Sequence, residues 1–191
     1  MTCSLTRRAR ASSRWRTMPW QWSTNWSRRT TTRNVSPLHI NMLQTALRFL
    51  DEHKEITLAT CEGNLPKIRV FQIMRQEGNT LYFATSPGKS VWKELQQNPN
   101  VELLAYADNI SVRCSGVVNF DVDEDVKRWI YGNNPVLPRL YSSWDKLAYF
   151  CLPIARIDYY NLSPTPPVFK HFDLMTGEVG NGFVGERFGK K

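Results

Sequence analysis

The first 37 positions contain no acidic residue. Eight arginines stand there (Arg7, Arg8, Arg10, Arg14, Arg16, Arg28, Arg29 and Arg33), while the 17 basic residues of the remainder balance all 17 acids. The net charge of +8 therefore belongs to the N-terminal stretch, and the rest of the chain is neutral. A neutral body argues against nucleic acid or an anionic surface as the partner of the whole chain. Paired cysteines are missing too. Cys3, Cys61, Cys114 and Cys151 form no CxxC motif, and Cys61 and Cys114 lie in apolar, strand-like runs. That reads as buried free thiols in a reducing, cytoplasmic setting, not as a disulfide or zinc framework. No apolar run approaches the ~20 residues of a membrane-spanning helix, and the N-terminus lacks the apolar core of a signal peptide. His39, His53 and His171 are scattered, with neither metal-ligand spacing nor a serine–histidine–acid set, so each reads as structural or surface.

What the N-terminal stretch does contain is Arg, Ser and Thr around Trp15, Trp20, Trp22 and Trp26. Arginine with interleaved aromatics suits nucleic acid, and an acid-free, Arg- and Ser-rich start is like an organelle-targeting segment. The plainer reading is a disordered extension over 1–37 without function of its own, ahead of a body that begins near Met42. With 191 residues and 41% hydrophobic content, that body can bury a core of ordinary size.

The body opens with an amphipathic pattern over 37–53, with Leu43, Ala46, Leu47 and Leu50 on one face. Strands are predicted over 55–61, 67–75, 81–85, 101–107, 111–122 and 155–160. Gly63-Asn64 and Gly78-Asn79 read as tight hairpin turns, so the first three strands form a meander. Gly116 marks a bulge or bend. In KIRVFQIMR, Ile68, Val70 and Met74 face one way and Arg69, Phe71, Ile73 and Arg75 the other; an arginine on a partly apolar face needs a partner. The acid run 121–125 suits a metal or acid–base cluster, or, more simply, the N-terminus of the helix after it. The stretch 133–142 contains two prolines and a short helical turn is expected there. Pro164, Pro166 and Pro167 then break regular structure, and 163–191 reads as an irregular arm. A doubly wound fold would need alternating strands and helices, which are absent. Six short antiparallel strands and one inserted helix instead predict a closed or nearly closed barrel.

The stretch 80–99, TLYFATSPGKSVWKELQQNP, is the centre of the chain. A strand leads onto a helix for which Ser86 is the expected cap and Pro87 the expected first helical position, and which Asn98-Pro99 ends. Val91, Trp92 and Leu95 share one helix face; Lys93, Glu94, Gln96 and Gln97 are expected on the other. Free N–H groups, the positive end of the helix dipole, Lys89, and the Ser86 and Ser90 hydroxyls suit a phosphate. They equally suit an ordinary capped surface helix with one solvated lysine, the commoner use of such a start.

Three blocks in this order carry a resemblance: LATCEGNLPKIRVFQ (58–72), LYFATSPGKSVWKELQQNPNVEL (81–103) and SVRCSGVVNF (111–120). Together they make residues 42–160 similar to the pyridoxamine 5'-phosphate oxidase-like, FMN-binding split-barrel family. The first resembles a hairpin whose second strand gives an arginine to the flavin, the second a phosphate-binding strand–loop–helix, the third a strand near the flavin ring. The resemblance implies a mainly β fold, a six-stranded antiparallel Greek-key split barrel with flanking helices, over 38–162. It implies FMN as cofactor, with its phosphate against Lys89 and Ser90 and Arg69 reaching from the neighbouring strand. Val70, Phe71 and Gln72 would line the ribityl chain and ring, Thr85 and Ser86 the other side, with Arg113 nearby. It implies a homodimer with flavin at the interface, which would also bury Trp92, Trp129 or Trp144. The classical oxidase's C-terminal signature is not found, and the pattern is nearer to the nitroimidazole reductase-like branch. The expected function is an FMN-dependent oxidoreductase moving hydride or electrons to or from a small organic substrate, with NADH or NADPH as a candidate donor. The alternative is a flavin- or haem-binding carrier or sensor without turnover.

Overall fold

The computed structural model describes residues 37–188; the basic extension, with its tryptophans, lies outside them. Helix α1 (Pro37–Glu52) buries Leu43, Ala46, Phe49 and Leu50, the stripe its periodicity predicts. Met42 falls inside this helix, so the body begins earlier than that methionine.

The strands are β1 (Glu55–Glu62), β2 (Leu65–Gln72), β3 (Arg75–Glu77), β4 (Thr80–Thr85), β5 (Asn100–Ala107), β6 (Ile110–Val117), β7 (Ala148–Asn161), β8 (Val168–Asp173) and β9 (Val179–Asn181). They pair antiparallel in the order β2-β1-β5-β6-β7-β4-β3, and β8 joins β7 and β9. The architecture is the expected one, a curled antiparallel sheet with flanking helices. Its long strand β7 serves both halves: residues 148–153 pair with β4, and the later residues with β6 and β8. Curling brings the half-buried Phe71 of β2 to 6.1 Å from Phe83 of β4 and 6.0 Å from Phe150 of β7, ring centre to ring centre. Phe83 and Phe150 are fully buried and stack at 5.1 Å. These rings join Leu58, Leu103 and Ile157 in the main core.

Three expectations need correction. The strand predicted over 67–75 ends at Gln72, and 55–85 is not a meander: β4 pairs with β7, not β2. At the break the Ile73 N–H donates to the Lys54 carbonyl and the Met74 N–H to the Tyr82 carbonyl, so two residues step the chain from one half-sheet to the other. The alternating pattern runs through the step unchanged, which is why it is invisible in the sequence. The C-terminal arm is not irregular. Strands β8 and β9 extend the sheet and place Phe172 in the main core, so the body runs beyond residue 162. The described residues form nine strands, three more than predicted. Gly116 does sit at a register shift between β6 and β7. A Cβ there would lie 2.7 Å from the Pro153 carbonyl oxygen, which excludes a side chain.

Helix α2 (Ser90–Gln97) follows β4 and lies over β1. Helix α3 (Glu124–Asn133) takes Glu124 and Asp125 into its first turn, where acids complement the dipole. Helix α4 (Leu137–Leu140) is a short turn that follows Pro135 and contains Pro138 near its start. Val126, Ile130 and Leu137 form a second core with Ala84, Tyr149 and Cys151.

Candidate functional site

Strand β4 ends at Thr85, and residues 86–89 turn the chain into α2. The Lys89 N–H donates to the Ser86 carbonyl at 3.1 Å and the Gly88 N–H to Ser86 Oγ at 3.3 Å. The helix therefore starts at Ser90, with exposed Lys89 as its N-cap, and not at Pro87 as its sequence suggests. Ser86 Oγ thus serves as an acceptor inside the turn. The first turn of a helix leaves backbone N–H groups without intrahelical partners, and Lys89 and Ser90 stand at that end. Thr85 is buried, and among the described residues its Oγ1 has no hydrogen-bond partner. An orphaned buried hydroxyl beside a helix start fits a polar ligand there.

Beneath the helix lies a charge cluster. Glu94, expected on the solvent face of α2, is buried, with 4% of its side chain exposed. It follows Ser90 by one turn, so both project from the same face. Arg69 Nη1 donates to Glu94 Oε2 at 2.7 Å, and Thr60 Oγ1 donates to the same oxygen. The Ser90 hydroxyl also hydrogen-bonds this carboxylate. Burial pushes the Glu94 carboxyl up, but the bonds from Arg69, Thr60 and Ser90 outweigh it and hold the carboxyl below its ordinary range. Glu94 is thus the partner that an inward arginine requires. Register explains the meeting: Arg69 lies opposite Leu58 and Thr60 opposite Lys67 on the inner face of the β1–β2 hairpin.

The remaining residues named from sequence divide between the two faces of the sheet. Phe71 faces inward with Arg69, while Val70 and Gln72 are exposed. Gln72 accepts a hydrogen bond from Asn134, at the C-terminus of α3. Arg113 stands on the outer face in one row with Val70, through Thr57 and Leu104. Three strand spacings separate it from Val70, roughly 14 Å. It pairs with Asp158 and Glu102, and Asp158 also meets His171. Burial raises the Asp158 carboxyl, yet Arg113 and His171 bring it below its usual range. The structure therefore brings Arg69 and Ser90 together at Glu94, on the helix that follows Thr85, Ser86 and Lys89, and leaves Val70, Gln72 and Arg113 facing outward. Sequence reasoning missed Glu94. Its signal was the Ser90–Glu94 spacing of one turn on a helix whose inner stripe is narrow.

Among known proteins, the model of the pyridoxamine 5'-phosphate oxidase family matches residues 42–150, more than half the chain. The chain belongs to that family. Solved structures agree in fold. A NimC/NimA family protein from Clostridium acetobutylicum is 25% identical with a TM-score of 0.56; the match covers 73% of this chain and 99% of that one. A pyridoxamine 5'-phosphate oxidase-related, FMN-binding protein from Nostoc punctiforme is 16% identical, with a TM-score of 0.57 over 79% and 98%. A haem-binding protein from Mycobacterium smegmatis is 12% identical, with a TM-score of 0.55 over 69% and 57%. No curated protein matches the chain by sequence. No helix among the described residues is long and apolar enough to cross a membrane.

Proposed function

We propose that this protein binds FMN and acts as an FMN-dependent oxidoreductase on a small organic molecule. The supporting observation is the β4–turn–α2 start, where the strand ends at Thr85 with an orphaned buried hydroxyl and the chain turns onto Lys89, Ser90 and the first-turn N–H groups, in the region matched by the family. Lys89 supplies charge and the helix end supplies N–H donors to the phosphate. Ser90 and Arg69 add donors from below. Phe71, half-buried against the core, gives the ring an apolar edge. When bound, FMN supplies hydride and electron transfer, so the chain's task is to bind, orient and hydrogen-bond it. NADH or NADPH is the electron donor we favour. The match to the NimC/NimA family protein supports the nitroimidazole reductase-like branch.

We also infer a homodimer. Ile68 and Val70 are 72% and 74% exposed, and Leu104 and Tyr106 continue their outer face with 40% and 65%. With Val70, Gln72 and Arg113 turned outward, one chain presents only part of the expected flavin contacts, and a second copy on this apolar face supplies the rest. The tryptophans do not require it: Arg75 stacks over Trp129, Arg128 over Trp144, and Trp92 packs edge-on against Phe120. Light scattering should give a dimer, and a flavin-bound monomer would refute this part.

The test of the cofactor site is a fluorescence titration with FMN and with riboflavin, which lacks the phosphate. Lys89→Ala removes one charge-assisted bond, of about 1.5–3 kcal/mol, and should weaken FMN roughly ten- to a hundredfold while leaving riboflavin alone. Lys93→Ala, on the exposed face of α2, should change neither. Equal losses for both flavins would reject a phosphate role. The second reading, a carrier or sensor without turnover, draws on the haem-binding protein of similar fold. A Soret band in the purified protein, or bound flavin that nicotinamide donors fail to reduce, would favour it.

A further inference from the structure

The buried carboxylate under α2 has no role in holding a phosphate; it is an anion where an anion is to bind. Glu94 takes the Arg69 guanidinium at 2.7 Å, the Thr60 hydroxyl and the Ser90 hydroxyl. Two of those three donors, Arg69 and Ser90, are the ones assigned above to the FMN phosphate. A guanidinium has five N–H donors and Arg69 keeps 24% of its side chain exposed, so it can face a second acceptor without leaving the first. Its charge, however, is a single unit, and Glu94 already balances it. The carboxylate stays ionised at neutral pH because its three donors outweigh the cost of burial. Lys89, exposed and without a carboxylate partner among the described ion pairs, is then the site's net positive charge.

We propose that Glu94 is a specificity-determining residue of the flavin site: an internal anion that holds Arg69 and Ser90 in place and, by its charge, limits how strongly the protein prefers a phosphorylated flavin to an unphosphorylated one. This rests on the reading that residues 69 and 86–90 receive the phosphate. The physical reason is competition. A phosphate drawn to Arg69 and Ser90 approaches a fixed negative charge that shares both donors, and the repulsion offsets part of what Lys89 and the helix end contribute. Ordering the donors in advance works the other way, because Arg69 need not be immobilised when the ligand arrives. The two functions are separable: orientation needs an acceptor of the right shape, and repulsion needs the charge.

Glu94→Gln separates them, since the amide oxygen still accepts from Arg69 or Thr60 while the charge is gone. Titrating the full chain with FMN and with riboflavin should show FMN bound roughly tenfold more tightly by the variant, the size of one screened charge repulsion at close range, with riboflavin unchanged. Glu94→Asp keeps the charge and should show no gain. Glu94→Met removes charge and acceptor together, so it should raise the ratio of FMN to riboflavin affinity by less than Glu94→Gln, and it serves if the glutamine variant does not fold. An unchanged ratio of FMN to riboflavin affinity in both neutral variants overturns the inference, as does a loss shared equally by the two flavins, which would make Glu94 a strut for the fold. Wild-type protein that binds the two flavins alike would instead remove the phosphate reading itself, and this inference with it.

Discussion

Arginine meets carboxylate on both faces of the sheet, and two of these pairings make a contrast. Inside, Arg69 meets Glu94 under α2, with the glutamate almost wholly covered. Outside, Arg113 meets Asp158 and Glu102 on open sheet, with half of the arginine side chain exposed. The chemistry is alike and the surroundings are not. Water reaches the exposed Arg113, and Asp158, 13% exposed, keeps His171 as a second partner, so the loss of Arg113 strands no charge and its net contribution is small. The inner pair replaces water with Thr60, Ser90 and each other, so removing one member strands a buried charge. The contrast teaches which charges can be exchanged during evolution or engineering without loss of the fold. It also teaches why the inner cluster is the one poised to influence a ligand.

The largest test of this contrast is Arg69→Ala. It leaves Glu94 buried without its cation and should cost about 3–5 kcal/mol in denaturant unfolding; a cost like that of an exposed pair would show that the inner cluster is solvated. Next comes Gly116→Ala, which probes the bend between the two half-sheets. A Cβ facing the Pro153 carbonyl at 2.7 Å and Leu152 Cδ1 at 2.9 Å must push backbone aside, and about 1–3 kcal/mol of destabilisation should follow. Acid sharpens the comparison further. The Glu94 carboxyl is lowered in the folded protein, so its contribution is present above the unfolded glutamate range, near ~4.3, and is lost as pH falls through the lower folded value. The stability gap between wild type and Glu94→Gln should therefore be flat through neutral pH and close only in acid; a gap that closes nearer neutrality would mean the carboxyl is not held low. The smallest effect is expected for Arg113→Ala, about 0–1 kcal/mol and weaker in salt. A loss as large as that of Arg69→Ala would erase the distinction between the faces.

Much of the fold was legible because local rules agree with it. The period of α1, the alternation in β1, β5 and β6, and the Gly and Asn turns all point the same way. Asp108 and Asn109 both adopt positive φ in the β5–β6 hairpin, as such a two-residue turn demands. The candidate site was legible as a strand, a turn and a helix start, and as an arginine in need of a partner. Glu94 was not, because a glutamate among Lys93, Gln96 and Gln97 looks solvated until the helix is laid on the sheet.

By itself, then, the sequence determined the element types, the neutral body beside a basic extension, the bulge at Gly116 and the three blocks that carry the family. These depend on contacts close in the chain or on residue types that only one local geometry tolerates. Only the tertiary structure decided that β4 pairs with β7, that β8 and β9 lengthen the sheet, and that Arg69 is answered by Glu94. Each of those joins residues distant in sequence, where pairing is chosen by how the curled sheet closes over its core and by which polar groups that closure strips of water.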